Sequence, residues 1–113
     1  MITDRIAEIV YKRNGRVTQV LTNVLDHGMD VQEAIERPRF LIGAFLPGEP
    51  SDTVHVEARV GRRVLAALAR RGHTVRAAPD FFHKVGHGHG LVLRDGTWLG
   101  GADPRGDGIA LGV

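Results

Sequence analysis

Residues 17–40 read VTQVLTNVLDHGMDVQEAIERPRF and carry the most regular pattern in the chain. Their first half repeats apolar residues at helical spacing: Val17, Val20, Leu21, Val24 and Leu25. Gly28 can close this helix in the left-handed conformation, and Asp30 can begin a second helix as its N-cap, with Glu33 placed to complete a capping box. Pro38 ends that second helix, because the residue before a proline is pushed out of the helical region. The stretch therefore predicts a packing corner of two short helices, in which no chemistry is visible.

The residues before this corner also predict a helix. Ile2, Ile6, Ile9 and Val10 recur at helical spacing, Thr3 can serve as the N-cap, and Asn14-Gly15 supplies a stop. We expect a helix over residues 3–13. It would pack as a hairpin against the helix that follows.

Strand patterns follow Phe40. The apolar run Leu41–Leu46 ends at a Pro-Gly-Glu-Pro turn and predicts a buried strand. Thr53–Glu57 alternates apolar and polar residues, which is typical of a half-buried strand with His55 and Glu57 on its polar face.

The rest of the chain alternates helical and strand signals. A helix is predicted from Val60 to Gly72, with arginines opposite its apolar stripe, and a strand over Thr74–Ala78. Asp95-Gly96 between apolar runs predicts a hairpin, and Ile109–Val113 a last strand. The sequence thus predicts a single α+β domain over residues 1–113, with a mainly antiparallel sheet and helices packed on one face.

Composition narrows the function classes. The chain has 113 residues, 42% hydrophobic and 25% charged, without an apolar run long enough to span a membrane or a signal-peptide core at its start. We therefore expect a cytoplasmic protein. The absence of cysteine excludes disulfides, thiolate metal ligands and a cysteine nucleophile. A net charge of +2 with one tryptophan and one tyrosine argues against nucleic-acid binding.

Three histidines near the end are the first candidate site. In an extended segment His87 and His89 point to the same side and, with His83, could converge on zinc. The alternative is a glycine-rich loop that leads into a strand, because Asp80 is the only nearby acid and does not complete a ligand set. The sequence leaves metal binding by these histidines open, and we predict neither a metal nor a cofactor.

The loop 103–108, Asp-Pro-Arg-Gly-Asp-Gly, is the second candidate. Calcium binding fails because Arg105 stands where an acidic ligand is needed and no glutamate follows at the required distance. A structural role fits better: Asp103 can accept hydrogen bonds from backbone amides, and Arg105 can clamp carbonyls or a carboxylate. The Arg-Gly-Asp tripeptide is short enough to occur by chance.

A nucleophile of the chain's own is not predicted. Activation of a threonine needs a free α-amine or an adjacent base, and neither is evident for any of the candidates: Thr3, Thr18, Thr22, Thr53, Thr74 and Thr97. His73 adjoins Thr74, but neighbours in a strand point apart. Ser51, the only serine, lies in a proline-flanked turn. We predict no catalytic residue.

Two groups of motifs resemble the gamma-glutamyltransferase (gamma-glutamyltranspeptidase) family. Asn23–Met29, Gln32–Ala34 and Pro38–Phe40 are similar to the late small-subunit region of that family. Gly86–His89, the Asp95-Gly96 turn and Gly100–Gly108 are similar to its C-terminal strand, turn and closing loop. The resemblance covers residues 17–113, so residues 1–16 are expected to be an added N-terminal helix.

The resemblance implies part of an N-terminal-nucleophile hydrolase, an αββα fold. Family members cut their own precursor, and the new N-terminal threonine attacks a γ-glutamyl amide. That threonine lies upstream of the matching region, so the resemblance implies γ-glutamyl transfer or hydrolysis on glutathione-like amides by an enzyme of which this chain is a part, inactive by itself.

Two other functions stay open. The chain could be a stand-alone, non-catalytic binding or assembly module that forms homo-oligomers through exposed strand edges. It could also be a small hydrolase that uses His87, His89 or Asp107 in a pocket between subunits. The predicted partner is accordingly a second copy of the chain or an upstream threonine-bearing subunit.

Overall fold

The computed structural model describes residues 6–11 and 16–112. Within these ranges the elements, in chain order, are β1 (Ile6–Tyr11), α1 (Arg16–Leu25), α2 (Val31–Glu36), β2 (Phe40–Ile42), β3 (Val54–Glu57), α3 (Arg62–Arg70), β4 (Val75–Ala78), β5 (Gly88–Arg94) and β6 (Thr97–Ala102). They divide between two compact units: residues 1–37 with 86–113, and residues 38–85. The α+β class is confirmed, and three of the four strand pairings in the described residues are antiparallel.

The first unit is built on the antiparallel sheet β1-β5-β6. Helices α1 and α2 contact each other, and α2 also contacts β5 and β6. The core of the unit is a cluster of small and β-branched side chains: Val20, Val24, Val31, Ala34, Ile35 and Val92. The helical corner is therefore the packing element that its apolar periodicity predicts.

The corner closes as the sequence indicates. Gly28 has φ +65°, a left-handed conformation that glycine adopts without a side-chain clash. The Asp30 carboxylate accepts a hydrogen bond from the Glu33 amide at 2.9 Å, so the predicted N-cap is confirmed. The second half of the capping box is replaced, because the Glu33 carboxylate pairs with Arg37 one turn later.

The predicted hairpin is also confirmed. Asp95 and Gly96 have φ +50° and +77°, the two positive values of a turn that matches the twist of antiparallel strands. The turn sets the register that places Leu93 opposite Trp98 and Gly90 opposite Gly101.

The prediction of an N-terminal helix over residues 3–13 is wrong for the residues that the structure describes. Residues 6–11 form β1, which pairs with β5 antiparallel and has a register irregularity between Ile6 and Glu8. Isoleucine, valine and tyrosine favour strands, and β5 offers an open edge, so a distant pairing overrides the local helical spacing. Residues 3–5 and 12–13 lie outside the described residues. The assignment of residues 1–16 as an addition to the family fold stays a prediction.

The second unit contains the sheet β2-β3-β4, in which β3 pairs antiparallel with β2 and parallel with β4. The expected buried strand over Leu41–Leu46 forms a strand only at Leu41 and Ile42, and the prediction of burial is wrong. β2 ends at Ile42, with Phe40 43% and Ile42 58% exposed. Gly43, at φ +150°, follows the strand directly. An apolar run alone does not reveal what covers it.

β3, unlike β2, is more buried than the sequence predicts. All of its residues are buried, including His55 and Glu57 on the face that was expected to meet solvent. The predicted helix and strand on either side of residue 72 are confirmed as α3 and β4. No strand forms over residues 109–112, and Val113 lies outside the described residues.

Gly101 gives a direct test of the first unit's packing. A Cβ at this position would lie 3.0 Å from Ile35 Cδ1 and 3.2 Å from the Gln32 backbone nitrogen. Since the backbone of α2 cannot yield, we expect Gly101→Ala to lower the free energy of unfolding by about 1 to 3 kcal/mol in urea titration. Gly112→Ala is the matched control, because nothing lies within 4 Å of its added Cβ. Equal stability of the two variants would contradict this packing.

Candidate functional site

Asp103 is the hub of the C-terminal loop in the first unit. It follows β6 directly, and its Oδ2 accepts a hydrogen bond from the Gly88 amide at 2.8 Å. Its Oδ1 accepts two more, from the Arg105 amide at 3.0 Å and from Arg105 Nη1 at 2.9 Å. Both side chains have 0% exposure. The carboxylate therefore joins the start of β5 to the loop after β6.

Arg105 extends this network to the end of α2. Its Nη1 donates to the Ile35 carbonyl and its Nη2 to the Arg37 carbonyl, each at 3.0 Å. Carbonyls at a helix C-terminus lack partners within the helix and carry its partial negative charge, so a guanidinium there both caps and neutralises the helix end. The clamp predicted for Asp103 and Arg105 is confirmed.

Gln32, which lies on α2, binds Ala102, the residue before Asp103. Its side-chain amide donates to the Ala102 carbonyl and accepts from the Ala102 amide, both at 2.9 Å. This side chain mimics a neighbouring strand at the end of β6. Together with the Asp103–Arg105 pair it fixes the loop to α2 on consecutive residues.

The candidate histidines lie in different surroundings. The ring of His87 lies beside Gly106, where an added Cβ would meet Nδ1 at 3.3 Å, and that of His89 lies beside Gly108, where Cε1 would be 2.5 Å away. The Nε2 of His87 is buried and has no hydrogen-bond partner among the described residues. His83 belongs to the second unit and is exposed in a short 3₁₀ turn.

His87 and His89 thus lie against the loop 103–108, but they are not part of a set of metal ligands. Asp107 is exposed. Within residues 6–11 and 16–112, no three histidine, aspartate or glutamate side chains are grouped to hold a metal ion. A side chain at Gly106 or Gly108 would crowd the neighbouring imidazole, which would have to shift. Metal binding and hydrolysis by these residues have no arrangement in the described structure to support them.

A charge cluster in the second unit was not predicted. Glu49 Oε1 lies 2.7 Å from Arg76 Nε, and Oε2 lies 3.2 Å from His55 Nε2. The same Oε2 accepts hydrogen bonds from the amides of Phe45 at 2.8 Å and Leu46 at 3.4 Å. The Glu49 side chain is only 2% exposed. Its position in the Pro-Gly-Glu-Pro turn is typical of a solvent-exposed charge, so the sequence alone does not predict that Glu49 is buried in a charge cluster.

The cluster favours the ionised form of Glu49 and sets the tautomer of His55. The Phe45 amide, then the Leu46 amide, His55 and Arg76, outweigh the opposing effect of burial and hold the pKa of Glu49 below its ordinary value. His55 Nε2 also lies 3.0 Å from the Gly43 carbonyl. Since both neighbours of this nitrogen are acceptors, it carries the proton. The Phe45 ring covers the imidazole at 4.2 Å between centroids.

Glu57 organises the neighbouring loops in the same way. Its Oε2 accepts from the Arg39 amide at 3.0 Å and its Oε1 from the Phe82 amide at 2.8 Å, while Arg59 Nη2 lies 3.2 Å from Oε2. The Arg59 guanidinium lies over the Phe81 ring at 3.8 Å. These contacts explain why the polar face of β3 is buried: loop amides cover it and take its carboxylate as their acceptor.

No threonine in the described residues is set up as a nucleophile. Thr53 is buried, and its hydroxyl donates to the Pro50 carbonyl at 2.7 Å. Thr18, Thr74 and Thr97 are exposed, and Thr22 is half-buried. Thr3 lies outside it. Ser51 and His73 are exposed.

Comparison with known proteins places this geometry in a family. The family model of gamma-glutamyltranspeptidase matches residues 12–113. The chain belongs to the gamma-glutamyltranspeptidase family. It is 37% identical over 97 residues to the glutathione hydrolase-like YwrD proenzyme of Bacillus subtilis (strain 168), covering 85% of this chain and 18% of that protein. It is 36% identical over 94 residues to the oxamate amidohydrolase proenzyme of Klebsiella pneumoniae, covering 82% of this chain and 18% of that protein.

The fold agrees with solved members of the family. The gamma-glutamyltranspeptidase of Pseudomonas nitroreducens, solved with L-DON, superposes with a TM-score of 0.67 at 24% identity, over 86% of this chain and 48% of that one. The expected resemblance to the fold of N-terminal-nucleophile hydrolases is confirmed. The chain spans about a fifth of the length of the curated relatives named above. No helix in the described residues has the length and apolar character needed to cross a bilayer.

The Asp103–Arg105 pair predicts a large loss of stability on truncation. Arg105→Ala leaves a buried carboxylate without its cation and two α2 carbonyls without their donor, so the free energy of unfolding should fall by about 3 to 5 kcal/mol. Asp107→Asn, in the same loop but exposed, is the control and should change it little. Urea denaturation of the two variants measures the difference. Comparable stabilities would contradict a structural role for the clamp.

Glu49 predicts a pH dependence. Its pKa is lower in the folded chain than in the unfolded one, so its stabilisation is complete above the ordinary carboxyl pKa and is lost as pH falls through the folded value. Glu49→Gln should therefore lower the urea midpoint at pH 7 and flatten its decline in acid. Asp52→Asn, an exposed neighbour, should leave the profile unchanged. A Glu49→Gln profile that parallels the parent would overturn this assignment.

Proposed function

We propose that this chain is a structural part of a gamma-glutamyltranspeptidase-type enzyme, equivalent to the C-terminal part of its small subunit. The observation that carries the proposal is the family match over residues 12–113, together with relatives of which the chain spans only about a fifth. The proposed reaction of the whole enzyme is γ-glutamyl transfer or hydrolysis on glutathione-like amides. The partner that completes it is an upstream subunit bearing the threonine nucleophile.

The use of charge in the described residues supports this role. Asp103 and Arg105 serve backbone groups and each other, and Glu57 serves the amides of Arg39 and Phe82. Thr53 is buried with its hydroxyl committed to a carbonyl. A nucleophile needs an adjacent base and access to substrate. We infer that residues 1–113 are inactive by themselves.

A second candidate function is a non-catalytic assembly module. It rests on β2, one of the two edge strands of its sheet, where Phe40 and Ile42 are exposed. Edge strands with apolar side chains tend to pair with further strands. In this function the partner is a second copy of the chain, and no nucleic acid or membrane is involved. The proposed location for both candidates is the cytoplasm.

An activity measurement separates the proposal from independent catalysis. The purified 113-residue chain is incubated with a γ-glutamyl anilide, with and without an acceptor dipeptide, and release of the anilide is followed. We expect none, while circular dichroism shows a cooperative unfolding transition. Turnover that disappears on substitution of a single threonine would place the nucleophile inside the chain and refute the proposal.

Light scattering on the same sample distinguishes the two partner classes. A monomeric mass at high protein concentration removes the homo-oligomeric module and favours a chain that awaits a different subunit. A dimer that Ile42→Lys dissociates favours the assembly module, since a charge at an edge strand opposes pairing. Glu36→Lys, an exposed residue outside β2, is the control and should leave the mass unchanged.

A further inference from the structure

The second unit concentrates positive charge on one helix. Residues 58–79 contain six arginines and no aspartate or glutamate, although the whole chain has a net charge of only +2. Four of the six lie on α3 or directly after it: Arg62, Arg63, Arg70 and Arg71. All four are exposed, and none of their side chains forms an ion pair or hydrogen bond with the described residues. This differs from Arg59, Arg76 and Arg105, each of which pairs with a carboxylate.

The four arginines share one half of the helix. At about 100° per residue, Arg63 and Arg70 lie about 20° apart around the axis and about 10 Å apart along it. Arg62 and Arg71 flank them, and the surface between holds the small side chains of Ala66 and Ala67. The apolar residues Val64, Leu65 and Leu68 occupy the opposite half. We call the half with the four arginines and two alanines the arginine face of α3.

The charge at the start of α3 is unfavourable in the isolated chain. Arg62 and Arg63 lie in the first turn, where the helix dipole is positive, and no acidic residue compensates them there. Arg70 lies in the last turn, where the dipole favours a positive charge. α3 contains no buried residue whose packing would offset the cost at its first turn. Carboxylates supplied from outside would relieve this cost.

We propose that the arginine face of α3 is a docking surface for an acidic helix whose carboxylates repeat every seven residues. Positions seven apart lie on one side of a helix, so such carboxylates match the separation of Arg63 and Arg70. Guanidinium groups bind carboxylates through two parallel hydrogen bonds. Ala66 and Ala67 leave room for a helix backbone to approach between the two arginine pairs.

Other polyanions fit this surface less well. Residues 58–79 contain no phenylalanine, tyrosine or tryptophan to stack on bases. Insertion into a membrane surface needs the apolar half of an amphipathic helix, and Leu65 and Leu68 on that half of α3 are already partly buried within the chain. The face does not depend on the proposed reaction, since it requires no residue from the candidate site.

The test uses two labelled helical peptides of identical composition and fluorescence anisotropy. In one, pairs of glutamates repeat every seven residues; in the other, the pairs are five residues apart. We expect the first to bind at least tenfold more tightly, with an affinity that falls as salt is raised. The double variant Arg63→Glu/Arg70→Glu should lose this binding, whereas Arg94→Glu, on β5, should retain it.

Each remaining outcome counts against the proposal. Equal binding of the two peptides would show that the arginine face attracts acidic peptides nonspecifically. Equal losses of binding in the α3 and β5 variants would show that net charge alone causes the binding. Tighter binding of a DNA oligonucleotide or of vesicles with anionic lipid would replace the partner class. A cooperative thermal transition in every variant ensures that lost binding does not reflect unfolding.

Discussion

The first unit depends on one buried ion pair. Asp103 and Arg105 are fully removed from solvent, so each must have its charge and hydrogen-bonding groups satisfied inside the protein. They meet this requirement by holding the Gly88 amide and the carbonyls of Ile35 and Arg37. The loop after β6 is thereby tied to β5 and to the end of α2. The pair defines where the loop runs, because removal of either partner leaves an uncompensated charge.

The second unit uses carboxylates for the same purpose. Glu49 collects the amides of Phe45 and Leu46 together with His55 and Arg76, and Glu57 collects the amides of Arg39 and Phe82. Loops without regular structure have amides that need acceptors, and a buried carboxylate can accept several at once. Both buried carboxylates thus serve as acceptors for loop amides.

Local signals in the sequence predicted local structure. Gly28, Asp30 and the Asp95-Gly96 turn act through their own backbone geometry, and Asp103 and Arg105 pair across only two residues, so these features could be anticipated. β1 and Glu57 could not, because their partners lie far away in sequence. The strand at Ile6–Tyr11 exists through β5, and Glu57 is buried by loops that begin at Arg39 and Phe82. Periodicity shows which residues share one face of a helix or strand. The element that packs on that face is set by parts of the sequence that lie far away.

Amide hydrogen exchange at Gly88 and Arg105 tests the central role of Asp103 most directly. Both amides donate to its carboxylate, at 2.8 and 3.0 Å, from positions at the start of a strand and within a loop. We expect both to exchange as slowly as the core amides of β5, and Asp103→Ala to accelerate both together. Rapid exchange of these two amides in the parent chain, at the rate of the exposed Asp107, would show that the buried pair does not hold the loop.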